Sequence, residues 1–120
     1  MSARVVCIID DDEEIIDLVR LILSASGYSV IGSSDGRAAV QLVQREQPDV
    51  VLLDVMMPDV DGWEVLDALR SNPASQHIPV TLLSGAKHAS AASVGGIDAV
   101  VDKPFGPKEL LEALQHVLGG

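Results

Sequence analysis

A chain of 120 residues is the size of one domain, and at that length roughly 65% of the surface exposed by the unfolded chain becomes buried. Apolar residues make up 48% of it, yet Tyr28, Trp63 and Phe105 are its only aromatics, so the core must be aliphatic, which favours an α/β protein with buried parallel strands. A formal net charge of −10 with no basic stripe excludes direct nucleic-acid binding; the single Cys7 excludes an internal disulfide and suits a reducing compartment; no apolar run is long enough to span a bilayer, so a soluble, cytoplasmic chain without membrane contact is expected.

The first strand is the run Val5-Val6-Cys7-Ile8-Ile9, which leads into Asp10-Asp11-Asp12. Ile15, Leu18, Val19 and Ile22 then make one apolar helical stripe, closed by Gly27. Tyr28 to Gly32 alternates and predicts an edge strand. Ala39, Leu42 and Val43 predict a second helix that stops before Pro48. Val50-Val51-Leu52-Leu53 is the third strand and runs into Asp54. Val65, Leu66 and Leu69 mark a third helix. Val80-Thr81-Leu82-Leu83 is the fourth strand and leads to Ser84. The stretch from His88 to Val94 is small and Ala/Ser-rich and ends at Gly95-Gly96, so its helix should be short or frayed. Ala99-Val100-Val101 is the fifth strand and leads to Lys103-Pro104. Leu110, Leu111, Leu114, Val117 and Leu118 make the last helix, with Pro107 suited to its first turn. Strand and helix alternating five times predict a doubly wound five-stranded parallel sheet with helices on both faces, formed by residues 1–120 as a single domain.

In such sheets ligands sit beyond the carboxyl ends of the strands, at the topological switch point. Four strand ends here deliver chemical groups: Asp10 and Asp11, Asp54, Ser84, and Lys103. Each has an ordinary explanation alone, as a solvated loop, a turn residue, a strand cap or a surface lysine; their convergence on one edge is the signal. Asp12, Glu13 and Glu14 read as the cap and acidic first turn of the first helix. Asp10 and Asp11 continue a buried strand, where uncompensated charge is costly. Mg²⁺ suits such a site because it binds through one or two carboxylates, keeps waters and takes phosphate oxygens. It would also relieve the repulsion between these groups and Asp54 and keep Asp54 ionised. An ionised carboxylate can attack phosphorus to give an acyl phosphate. Lys103 is a point-charge partner for phosphate, and the Ser84 hydroxyl can donate to a phosphoryl oxygen.

Three motifs, Ile8-Ile9-Asp10-Asp11-Asp12, Asp54-Val55-Met56-Met57-Pro58-Asp59-Val60-Asp61-Gly62 and Lys103-Pro104-Phe105, resemble in order and spacing the response-regulator receiver domain of two-component signalling. The resemblance covers essentially the whole chain. It implies the flavodoxin-like strand order 2-1-3-4-5. It also implies Asp54 as phosphoacceptor; Asp11, Asp54 and the backbone carbonyl of Met56 as Mg²⁺ ligands; Asp10 as an outer ligand acting through water; Ser84 as the switch hydroxyl; and Lys103 as the phosphate-pairing lysine, with Lys103-Pro104 a candidate cis peptide. The implied function is Mg²⁺-dependent transfer of a phosphoryl group from a phosphohistidine to Asp54, changing the surface around the fourth and fifth helices, with no turnover of a free substrate. The implied partners are a sensor histidine kinase or histidine phosphotransfer protein, docked on a surface that includes the first helix, and an output domain or downstream protein. The sequence does not separate a stand-alone phosphorelay shuttle from the front of a longer regulator.

Two departures bear on output rather than on phosphorylation. Val100 stands where the family usually carries Tyr or Phe, and the stretch between Ser84 and Lys103 is about three residues shorter than usual. Apolar Met56 and Ala86 predict slow loss of the phosphoryl group, and Ala113 argues against the dimer of a large subfamily. A haloacid-dehalogenase-like phosphohydrolase would need an acid at Met56, and a flavin module's phosphate would be repelled by Asp10-Asp11-Asp12. The remaining alternative is a degenerate receiver used as a phosphorylation-independent binding module. His77, His88 and His116 lack metal-ligand spacing, Trp63 reads as a packing residue, and Cys7 as a small core residue.

Overall fold

Five short aliphatic runs form strands, and each is flanked by a turn or a helix cap. They are β1 (Val5–Ile9), β2 (Ser29–Ser33), β3 (Val50–Asp54), β4 (Val80–Ser84) and β5 (Ala99–Asp102). All pair in parallel, in the order β2-β1-β3-β4-β5. The computed structural model describes residues 4–55, 57, 61–84 and 97–119, and among these the helices are α1 (Glu13–Ala25), α2 (Gly36–Glu46), α3 (Gly62–Arg70) and α4 (Pro107–Leu118). The short helix expected between His88 and Val94 lies outside the described residues.

Strand side chains alternate between the two faces of the sheet, and each face has its own core. Cys7, Ile9, Val51, Leu53 and Leu82 pack with Ala39 and Val43 of α2 and with Val65, Leu66 and Leu69 of α3. Val6, Ile8, Val50, Leu52, Leu83 and Val101 pack with Ile16, Val19, Ile22 and Leu23 of α1 and with Leu110 and Leu114 of α4. Burial on both faces is why β1, β3 and β4 read as unbroken aliphatic runs. β2 stands at the edge and is only half-buried, which fits its alternating sequence. Among the described residues, no helix is long and apolar enough to cross a membrane.

The helices start where the sequence supplies a cap. Asp12, Asp35 and Asp61 each accept a backbone N–H from the second residue of the following helix, Glu14, Arg37 and Trp63, at 2.9 Å in every case. Caps of this kind are worth about 1 kcal/mol each. Gly27, at φ +91, takes the left-handed conformation that lets α1 turn into β2. Pro107 opens α4, and Glu109 accepts the Gly106 N–H at 3.0 Å.

The amino-terminal edge of the sheet is braced by Arg70, the last residue of α3. Its Nη1 donates to the carbonyls of Ile78 (2.6 Å) and Gln76 (2.9 Å), and its Nη2 donates to Asp98 Oδ2 (3.2 Å), which also accepts the Val80 N–H at 2.9 Å. This fork ties α3 to the starts of β4 and β5, on the side opposite the carboxyl ends. Cys7 sits inside the sheet, and burial pushes its thiol up to about 12, so it is an inert core residue as the sequence predicts.

Thr81 is fully buried in β4, and among the described residues its Oγ1 has no hydrogen-bond partner. An unsatisfied buried hydroxyl costs about 1–3 kcal/mol, and valine keeps the shape and strand preference without it. We expect Thr81→Val to stabilise the chain by about 1–2 kcal/mol. Urea unfolding measures this directly, and a lower midpoint would show that the hydroxyl is satisfied in solution.

Candidate functional site

The strand order reverses between β1 and β3, and the residues that leave the carboxyl ends of those two strands are acidic. Asp10 follows β1 and extends its pairing through Asp10 N–H to the Ser33 carbonyl at 3.2 Å. Asp54 is the last residue of β3 and pairs in register with Leu83 of β4. Asp10 is fully buried, Asp54 is 2% exposed, and Asp11 is exposed. Carboxylate oxygens of Asp10, Asp11 and Asp54 lie within 4.8 Å of one another.

Lys103 enters this cluster from the loop after β5, which two strands, β3 and β4, separate from β1. Its Nζ donates to Asp10 Oδ2 at 2.7 Å and lies 3.5 Å from Asp54 Oδ2. Asp10 Oδ1 accepts the Asp12 N–H at 3.0 Å, so both oxygens of the buried carboxylate have partners. Burial works against the Lys103 charge, but the hydrogen bond and charge of Asp10 and then the charge of Asp54 outweigh it, and the Lys103 pKa is raised. A base with a raised pKa stabilises the fold at every pH below its ordinary value, and this is lost only as pH rises through the raised value. At neutral pH Lys103 is therefore a fixed positive charge. The peptide Lys103–Pro104 is cis.

Three carboxylates facing one ammonium leave a local charge of −2, carried by hard oxygen donors. That donor set fits a hard divalent cation and does not fit a soft metal, which prefers thiolate. Of the residues singled out from sequence, the structure thus brings Asp10, Asp11, Asp54 and Lys103 together. Ser84 ends β4 on the same edge, and its side chain is outside the described set, as are Met56 and Ala86.

Two residues near the site carry roles that the sequence motifs did not reveal. A Cβ at Gly62 would meet Val55 Cα at 2.3 Å and the Asp54 carbonyl at 2.8 Å, so only glycine lets α3 start this close to the end of β3. Asp102, which extends β5 by one residue past the run read as strand, is exposed and is the register partner of Ser84. Beside the carboxylates, Ile15 and Leu18 of α1 and Lys103, Pro104 and Phe105 line a mainly apolar cleft of about 330 Å³. Leu18 (40%) and Leu21 (71%), both on α1, are the exposed large apolar side chains among the described residues.

A doubly wound sheet with acidic residues at its switch point, joined by a lysine from the far edge, defines a flavodoxin-like domain with a cation-ready carboxylate cluster. The chain belongs to the response regulator receiver domain family, whose family model matches residues 6–115. It is 39% identical to the response regulator MprA of Mycolicibacterium vanbaalenii over 98% of its length and 51% of that protein's. It is 34% identical to the alkaline phosphatase synthesis transcriptional regulatory protein PhoP of Bacillus subtilis over 94% of its length and 48% of that protein's. The chain thus spans about half the length of these curated relatives. Among solved structures it resembles the chemotaxis protein CheY4 of Vibrio cholerae, with a TM-score of 0.91 and 32% identity over 98% of this chain and 100% of that one. It also shares its fold, at a TM-score of 0.88 and 24% identity over 99% of this chain and 100% of that one, with the receiver domain of a Pseudomonas aeruginosa sensor histidine kinase that holds a magnesium ion in its active-site cleft. This chain is a receiver domain of two-component signalling.

Lys103→Met keeps the stem and removes the charge that partners buried Asp10. Breaking a buried pair in this way costs about 3–5 kcal/mol, and the partial exposure of Lys103 reduces the expected loss to about 2–3 kcal/mol. Urea unfolding with a chelator present tests this, and adding Asp10→Asn should recover most of the loss. Additive losses in the double variant would show that the pair is not coupled.

Proposed function

We propose that this receiver takes a phosphoryl group from a phosphohistidine onto Asp54, with Mg²⁺ as cofactor. The observation that carries the reading is the placement of Lys103 Nζ between buried Asp10 and Asp54, at 2.7 and 3.5 Å. In the step, a carboxylate oxygen of Asp54 forms a bond to phosphorus as the phosphorus–nitrogen bond breaks, and the leaving imidazole keeps the electron pair and takes a proton. Positioning and charge neutralisation are most of what such a transfer requires. Lys103 supplies a fixed positive charge beside the attacking carboxylate. Asp11 and Asp54, with the Met56 carbonyl, are the proposed metal ligands, and Asp10 stands behind them, held by Lys103 and the Asp12 N–H. When bound, Mg²⁺ would offset the −2 of the cluster, so that the phosphoryl oxygens meet no net negative charge there. Ser84 is assigned the hydroxyl that meets the transferred group, because it ends β4 at the same edge.

The donor is proposed to be a sensor histidine kinase or a histidine phosphotransfer protein seated on α1. The cleft between α1 and the Lys103–Phe105 loop is apolar and adjoins Asp54 through Lys103 itself, which suits a docked helix whose histidine faces the carboxylates. Output through a further domain or a downstream protein is the companion proposal, supported by the full length of the curated relatives, which is about twice that of this chain. A cytoplasmic location follows from the same reading. The rival reading, a binding module without phosphorylation, has Val100 in its favour but leaves the intact Asp10, Asp54 and Lys103 constellation without a use.

Incubation with acetyl phosphate and Mg²⁺ should add the mass of one phosphoryl group to the intact chain, and should add nothing without Mg²⁺ or in Asp54→Asn. A mass gain that persists in Asp54→Asn would move the acceptor elsewhere, and no gain under any condition would favour the binding module. Mg²⁺ alone should also raise the thermal midpoint, by an amount equivalent to about 2.7 kcal/mol at a hundredfold excess over its dissociation constant. Exposed Asp11 offers the control: Asp11→Asn should leave the fold intact and remove most of this shift.

A further inference from the structure

Asp102 is the last residue of β5 and the register partner of Ser84. Its neighbours fix the side of the sheet on which it lies: Val101 is buried under α1 and α4, whereas Val100 packs against the α2 and α3 core, so Asp102 shares the α2 and α3 side with Val100. Its side chain is exposed and makes no hydrogen bond or ion pair among the described residues. Asp54 lies two strands away, about 10 Å at the usual inter-strand spacing. That distance is about one Debye length at 0.1 M salt, so the Asp102 charge is felt at Asp54 in dilute buffer and is screened in strong salt.

Among the described residues, nothing at the opposite side of the edge offsets it. Asp11, Asp12, Glu13 and Glu14 are all exposed there, and the positive end of α1 is already answered by its own Asp12 cap and acidic first turn. Lys103 is engaged with Asp10 and Asp54. A free acyl phosphate, a small dianion at neutral pH, therefore approaches Asp54 between two acidic flanks, with only Lys103 and the proposed Mg²⁺ to attract it. A phosphoryl group carried by a docked protein is held there by apolar contact along α1, which overrides a modest repulsion.

We propose that Asp102 is a specificity-determining residue, whose exposed carboxylate beside Ser84, unpartnered among the described residues, sets this receiver against free anionic phosphodonors and towards a donor presented by a docked protein. The inference rests on the reading of Asp54 as phosphoacceptor. In the reaction used to test it, an Asp54 oxygen bonds to phosphorus, the phosphorus–oxygen bond of acetyl phosphate breaks, and acetate leaves with the electron pair. Phosphoramidate reacts likewise through its phosphorus–nitrogen bond but carries a smaller net charge.

The experiment measures initial phosphorylation rates by intact mass at saturating Mg²⁺, with acetyl phosphate and with phosphoramidate, in low and high salt. Asp102→Asn should raise the acetyl phosphate rate about two- to fourfold in low salt, the size expected for one charge acting on a dianion across about 10 Å of water. The gain should be smaller for phosphoramidate and should vanish in high salt, and Asp102→Glu should keep the wild-type rates. Equal gains with both donors at both salt levels, or no gain at all, would overturn the inference while wild-type phosphorylation still upholds the receiver chemistry. A wild-type chain that takes a phosphoryl group from neither donor overturns the receiver chemistry, and this inference with it.

Discussion

Asp10 is completely buried, and a carboxylate taken out of water at the end of a strand is tolerated only with a cation and hydrogen-bond donors at hand. Here the cation comes from the other side of the sheet. Lys103 follows β5, which is separated from β1 by β3 and β4, and reaches back over Asp54 to place its ammonium 2.7 Å from Asp10. The interaction therefore holds the carboxyl edge together across the width of the sheet, and it fixes where Asp54 stands relative to positive charge. The shorter contact falls on Asp10 and the longer one on Asp54, so the lysine is anchored by the carboxylate that is proposed not to react. Anchoring matters for chemistry because a preorganised charge needs no rearrangement when phosphoryl charge arrives.

The rest of the structure serves that edge. The two aliphatic cores hold β1 and β3 side by side from opposite faces, so Asp10 and Asp54 emerge at one level. Arg70 locks the far edge with a fork of hydrogen bonds, leaving the charged groups at the carboxyl edge to answer to one another. Gly62 lets α3 begin in contact with the backbone of Asp54 and Val55, where any side chain would force the loop outward. α1 joins two functions in one element: its acidic first turn borders the cluster, and its outer face carries Leu18 and Leu21 into solvent beside the apolar cleft.

Much of this was legible in the sequence, and the reasons are physical. Unbroken aliphatic runs such as Val50 to Leu53 identify strands buried on both faces, and a parallel sheet sends every strand end to one edge; Asp10, Asp54 and Lys103 could therefore be placed together from their positions after such runs. Asp12 is legible from capping chemistry, and Asp61 caps α3 in the same way. The pairing of Lys103 with Asp10 in preference to Asp54 was not legible, because it depends on how far a side chain reaches across two intervening strands. Gly62 appeared in the motif without a reason, since the reason is a backbone contact. Asp102 was missed because a polar residue after a short apolar run reads as a turn, whereas pairing with Ser84 keeps it in the strand.

Val100 stands where the resemblance to the family leads one to expect an aromatic ring, and its surroundings bear on what a valine does there. It pairs in register with Leu82 and packs, half-buried, against the α2 and α3 core. A valine has one side-chain torsion and a strongly preferred rotamer, so it has no pair of inward and outward positions to select between, as an aromatic ring would have. In the proposed mechanism, a signal that begins with a phosphoryl group on Asp54 and meets Ser84 would take a different route to the surface. The ladder that joins Ser84 to Asp102 and Leu82 to Val100 links the end of β4 directly to β5, and an exposed carboxylate sits at its last rung. In this receiver the outer edge of the sheet carries charge at the place where the site meets solvent, and the same strand that holds Val100 against the core ends in that charge.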